Sequence, residues 1–168
     1  MRVAVTGTPG VGKTTVARRL AEKRGVEYID VTERVRDGAS AGYDDERDAP
    51  VADIESLRNS VPEDSVIDGH LSHRLEPDYV VVLRCAPDVL RSRLEERGWD
   101  DKKIDENVEA EALDVTAAEA FAADAPVFEF DTTDPTEGET VKRVARAVEK
   151  RHERDGVVDW SAHLGGKV

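Results

Sequence analysis

Apolar residues along the chain fall into two alternating rhythms. Val3-Ala4-Val5, Val66-Ile67 and Tyr79 to Leu83 are short runs without polar interruption, the pattern of strands covered on both faces. Between such runs the spacing changes. Val16, Ala17, Leu20 and Ala21 recur at helical intervals, as do Leu90 and Leu94 after Pro87, and Val141, Val144, Ala145 and Val148 after Pro135. The pattern predicts strands at 2–6, 27–30, 65–68, 79–84 and 127–131, with helices between them. It further predicts a short capped helix carrying Arg34 and Arg36, a polar loop over 37–50 and a weak helix over 53–59. A long Ala-rich helix is expected over 102–123, with Ile104, Val108, Leu113, Val115 and Phe121 as its apolar stripe. Strand and helix alternating five times imply a single α/β domain over residues 1–168, a parallel sheet with helices on both faces.

Between the first strand and the first helix stands Gly7-Thr8-Pro9-Gly10-Val11-Gly12-Lys13-Thr14, which fills G-x-x-x-x-G-K-[ST]. Small residues let successive backbone N–H groups turn inward and cradle a polyphosphate, and the following helix N-terminus favours anions. The expected nucleotide-binding set is Gly10, Val11, Gly12, Lys13, Thr14 and Thr15, joined by Arg97 from later in the chain. Lys13 supplies a charge to the β- and γ-phosphates of ATP, and Thr14 a hydroxyl ligand for Mg²⁺. The bland alternative, a Gly-rich turn beside a stray lysine, does not explain why strand and helix flank it.

A phosphate loop needs a carboxylate for the Mg²⁺ shell, and Asp68 ends a strand where open α/β sheets place chemistry. Asp30 ends a second strand and is the weaker candidate. His70 follows Asp68 closely and could orient water or sense the nucleotide; with His73 it lacks the further ligands of a transition-metal site. Phosphoryl transfer also calls for cations around the moving group. Arg93 and Arg97, four apart on one predicted helix, share a face and fill that role, against the alternative of a solvated salt-bridged surface. Arg36, beside Arg34, lies where a second phosphate-bearing substrate could be held. Asp131-Thr132-Thr133-Asp134 lacks the lysine of a guanine-recognition element, which argues against a GTPase.

Composition narrows the partners. With 37 acidic against 24 basic residues the formal charge is −13, which disfavours a broad nucleic-acid-binding face. The acids are spread along the chain, favouring a salt-adapted surface over a dock for a basic partner. The single cysteine, Cys85, reads as a buried filler. Residue 1 leads directly into a strand and no run approaches the roughly 18 apolar residues of a membrane span, so a cytoplasmic protein without signal peptide or membrane association is expected.

Taken together, Gly7 to Thr15, Gly42-Tyr43-Asp44-Asp45-Glu46, Asp68-Gly69-His70, and Arg93-Leu94-Glu95-Glu96-Arg97-Gly98-Trp99 running into Lys102-Lys103-Ile104-Asp105-Glu106-Asn107 resemble the adenylate kinase isoenzyme 6 family over residues 1–150. The resemblance implies a nucleoside-monophosphate-kinase-like P-loop NTPase fold with a short lid. It also implies phosphoryl transfer from ATP to AMP and other nucleoside monophosphates, together with ATPase activity. On that likeness Arg36 binds the acceptor, Arg93 and Arg97 are lid-side arginines, and Asp68 with His70 forms a modified Walker B element. Residues 31–60 become the acceptor segment, 98–107 the lid and 154–168 a peripheral tail. The family further implies a role in small ribosomal subunit maturation, with ribosomal protein uS11 and the subunit precursor as partners. Two other readings stand beside it: an ATP-driven assembly factor acting on uS11 with kinase activity secondary, and a small-metabolite kinase. A non-catalytic scaffold is disfavoured by the presence of Lys13, Thr14, Asp68, Arg93 and Arg97.

Overall fold

The computed structural model describes residues 1–44, 49–150 and 158–160. Five parallel strands form one sheet: β1 (Arg2–Thr6), β2 (Glu27–Asp30), β5 (Ser65–Asp68), β6 (Tyr79–Arg84) and β7 (Val127–Asp131), in the order β2-β5-β1-β6-β7. A second, two-stranded sheet pairs β3 (Ser40–Asp44) antiparallel with β4 (Ala49–Ala52). Helices α1 (Lys13–Arg24), α2 (Val31–Arg36), α3 (Ile54–Ser60), α4 (Pro87–Glu96), α5 (Asp101–Ala112), α6 (Val115–Phe121) and α7 (Glu137–Lys150) complete the described elements, with a 3-10 turn at Ser72–Arg74.

Alternation along the strands divides the core. Val3, Val5, Val81, Leu83, Phe128 and Phe130 pack beneath α1, α4 and α7 through Leu20, Leu90, Leu94 and Val144, while Ala4, Val80 and Val82 meet Ala117 and Ala120 of α6. A third cluster joins Ile29 and Ile67 to Val31, Val35 and Leu57 of α2 and α3. Each fully buried Val, Leu, Ile or Phe side chain among these contributes roughly 1.5–3 kcal/mol relative to exposure.

The strand order locates the chemistry. β1 is central, its helix leads outward to β2 on one side, and the helices after β6 lead to β7 on the other. The loops leaving the neighbours β1 and β6 therefore diverge and leave a crevice at their C-terminal ends, the switch point where open sheets bind ligands.

Three sequence expectations need correction. The polar stretch 37–50 contains most of a β-hairpin: Gly42 faces Val51, Tyr43 faces Pro50 and Asp44 faces Ala49. Its Gly, Pro and Asp content hides a strand pair whose register, not its propensity, holds it. The long helix expected over 102–123 is two, because Asp114 takes a left-handed φ of 56° and turns its carboxylate to Arg84. In consequence only Ile104 and Val108 of the proposed stripe pack inward; Leu113, Val115 and Phe121 are exposed. Elsewhere Asp30 caps α2 by accepting from the Thr32 and Glu33 amides, and Asp53 caps α3 at Ser56. Among the described residues no helix is long and apolar enough to cross a membrane.

Candidate active site

The phosphate loop leaves β1 at Gly7 and enters α1 at Lys13. Two glycines are obligatory for shape. A Cβ on Gly7, at φ 141°, would lie 2.4 Å from the Leu83 carbonyl oxygen, and one on Gly10, at φ 100°, would lie 2.7 Å from Leu90 Cδ1. The loop is thus pressed against β6 and α4, which aims the start of α1 into the crevice. That N-terminus has no side-chain cap and no acidic residue in its first turn, so it remains open to an anion.

A cavity of about 210 Å³ adjoins it, lined by Gly10, Val11, Gly12, Thr15, Arg93, Arg97 and Thr132 together with Val16, Pro135, Glu137 and Thr140. Arg93 and Arg97 therefore do converge on the loop, as their spacing requires, and among the described residues neither forms an ion pair. They are held differently. Arg93 donates to the Thr132 and Thr133 carbonyls at 2.7 and 3.3 Å, while Arg97, at the end of α4, is exposed. Lys13 donates to the Thr8 carbonyl at 3.0 Å. Burial, reinforced by the charge of Arg97 and opposed by Asp68 and Glu111, brings its pKa down to about 8. Lys13, Arg93 and Arg97 beside the uncapped N-terminus of α1 make such a site receptive to phosphate.

Asp68 and Thr14 meet as the sequence suggested: the Thr14 hydroxyl donates to Asp68 Oδ2 at 2.7 Å. Burial raises the Asp68 pKa against the pull of Thr14, Tyr28 and Lys13. A hydroxyl and a carboxylate at this distance are hard oxygen donors suited to Mg²⁺. Asp30 lies in register beside Asp68, on β2. His70 follows on the loop after β5; its side chain is exposed, and partial desolvation and the nearby Lys13 charge lower its pKa, favouring the neutral ring. His73 is instead buried, its Nδ1 3.4 Å from Thr6 Oγ1. Arg36, in the last turn of α2, is exposed and without an ion pair among the described residues.

Two further contributors escaped sequence reasoning. The Tyr28 hydroxyl donates to Asp68 Oδ2 at 2.9 Å, with the Arg18 guanidinium 5.1 Å from its ring centre, so a strand residue steadies the carboxylate. Its alternation with Asp30 on β2 was the available signal. Thr132 links the loop to the far side of the cavity: its hydroxyl lies 3.0 Å from the Val11 carbonyl and 2.8 Å from that of Arg84. Only the pairing of β6 with β7 brings it there.

With this geometry in view, comparison with known proteins is decisive at the family level. A family model described as an AAA domain matches residues 3–114. A curated protein of Methanocaldococcus jannaschii named "Putative adenylate kinase" is 42% identical over 168 residues, covering 96% of this chain and 93% of that one. A protein of the same name from Thermococcus gammatolerans is 45% identical, with 96% and 93% covered. The chain belongs to this family. Among solved structures, the YorR protein of Bacillus subtilis, in complex with phosphorylated GDP, aligns with a TM-score of 0.62 at 19% identity, covering 93% of this chain and all of that one. That likeness establishes the α/β P-loop fold in this family member. Membership supports a kinase, and the crevice of this kinase lies at its phosphate loop.

Proposed function

We propose that this protein is a nucleoside monophosphate kinase that converts ATP and AMP into two ADP, and that it also hydrolyses ATP. The observation that carries the reading is the gathering of Lys13, Arg93 and Arg97 around one glycine-built loop, opposite the Thr14–Asp68 pair. In this reading the backbone of Gly10 to Thr15 cradles the ATP phosphates and Lys13 neutralises charge on them. Arg97, exposed at the end of α4, follows the transferring group, while Arg93, braced on Thr132 and Thr133, stays fixed.

Thr14 and Asp68 would hold Mg²⁺, Asp68 partly through water, and the ion would offset charge on the phosphates. Arg36 binds the acceptor phosphate from the 31–60 segment, and 98–107 closes as a short lid. The acceptor oxygen is already ionised, so catalysis is positioning and charge neutralisation, without a covalent enzyme intermediate.

The test is a product assay with Mg·ATP, with and without AMP, at low and high salt. ADP appearing at twice the rate of AMP loss, far above the AMP-free blank, supports the kinase. Transfer to another small acceptor in place of AMP would make it a small-metabolite kinase.

A second reading is favoured by His70, neutral near pH 7 beside Lys13 and able to orient a water. It makes the protein an ATP-driven factor in small ribosomal subunit maturation, acting on ribosomal protein uS11 and the subunit precursor, in keeping with the family resemblance and the acidic surface. Turnover indifferent to AMP but raised by purified uS11 would favour it.

A further inference from the structure

Glu111 is 2% exposed, sits on α5, and belongs to none of the motifs that define the site. Its carboxylate accepts four hydrogen bonds. Oε1 receives Arg84 Nε at 2.7 Å, the Cys85 amide at 3.1 Å and Trp160 Nε1 at 3.3 Å, while Oε2 receives the Thr8 hydroxyl at 2.5 Å. A carboxylate oxygen offers about two lone-pair sites, so Oε1 is saturated and Oε2 is given to Thr8 alone. Three donors hold one oxygen from β6 and the chain near residue 160, leaving the other aimed at the phosphate loop.

Arg84, 1% exposed, is itself immobilised by Glu129 at 2.7 Å, by Asp114 and by the Glu111 carbonyl at 3.2 Å. Thr8, at the end of this chain of contacts, offers its carbonyl to Lys13 Nζ at 3.0 Å. A continuous path therefore runs Arg84, Glu111, Thr8, Lys13. A buried charge cluster is costly and rarely retained for stability alone, because an apolar core of similar volume does as well. What this one accomplishes is to fix the carbonyl on which the phosphate-binding lysine rests.

We propose that Glu111 is a positioning residue of the phosphate loop, acting through Thr8 to preset Lys13 for the nucleotide phosphates. The inference rests on the reading that this loop binds ATP, but not on the identity of the acceptor. It also gives α5 a purpose: the helix begins just beyond Arg97 and the 98–100 turn and carries Glu111 in its last turn, so one element runs from beside the lid arginine to the loop.

The experiment compares wild type with Thr8→Val, Thr8→Ser and Glu111→Gln by calorimetric titration with Mg·ATP in the absence of AMP, alongside thermal melts. Thr8→Val removes only the donor and leaves the Arg84 cluster intact. It is expected to raise the ATP Kd about tenfold, the size of one lost charge-assisted hydrogen bond, whereas Thr8→Ser stays within about threefold. Glu111→Gln, if it folds, should weaken ATP binding similarly, and the pair should be non-additive in the double variant. Wild-type Kd in Thr8→Val, with or without a lower Tm, would overturn the proposal and leave Glu111 purely structural. Because no acceptor is present, failure of ATP-to-AMP transfer in the wild type would sink the kinase reading without touching this one.

Discussion

Thr14 donates its hydroxyl to Asp68 Oδ2 across 2.7 Å, joining residues 54 positions apart at the ends of two different elements. Asp68 is 3% exposed, and burial raises its pKa above the ordinary 3.8. The folded state therefore resists ionising it, and the carboxylate is retained at a cost to stability.

Asp68→Asn should separate function from stability. Phosphoryl transfer is expected to fall about 10–100-fold, as for loss of a group that orients a metal shell. Thermal stability at pH 7 should be equal or higher than wild type. A raised folded-state pKa means that the protonated form is favoured by folding, so the penalty on wild type grows as pH rises through the folded value. Melts repeated toward pH 4 should show the advantage of D68N shrinking; a constant offset would assign the change to packing instead.

Lys13, with its pKa near 8 in the free protein, should take up a proton when a phosphate restores its charge. Calorimetry of ATP binding between pH 8 and 9, in two buffers of different ionisation enthalpy, is expected to show net proton uptake. The same lowered pKa makes wild-type stability rise between about pH 8 and the unfolded value of 10.5, since the unfolded chain holds the proton longer. Lys13→Met should lose both effects and also transfer and hydrolysis.

Arg93 and Arg97 should respond differently to alanine. Arg97 is exposed and its removal should cut kcat by about 10²-fold or more with an unchanged Tm. Arg93 holds two carbonyls of the turn after β7, so its loss should also lower Tm. Equal melting temperatures in the two variants would refute this division.

Arg36→Ala should raise the AMP KM while leaving AMP-independent hydrolysis intact, because Arg36 stands on α2, outside the cavity lining. A parallel loss of both activities, read from steady-state kinetics, would make it structural.

Much of this was legible locally. The five strands of the main sheet and the phosphate loop are set by apolar runs, helical spacing and glycine placement, each acting within a few residues. The hairpin was not, since strand pairing between Gly42 and Val51 is a register decision and neither segment is apolar enough to announce itself. The break at Asp114 was missed for a related reason: its left-handed backbone is coupled to an ion pair with Arg84, thirty positions earlier.

By itself, then, the chain determined the α/β alternation, the Gly7 to Thr15 cradle and the candidacy of Asp68, Arg93 and Arg97, because these depend on periodicity and on motifs contiguous in sequence. Only the tertiary structure decided that Tyr28 supports Asp68, that Thr132 closes the cavity and that Glu111 stands behind Thr8. Those side chains carry no motif. A glutamate on the inward face of α5 beside Ile104, or an arginine ending an apolar strand, announces that a buried partner must exist, since an unpaired charge could not remain there. Which partner it is depends on strand order, and strand order is a property of the assembled sheet.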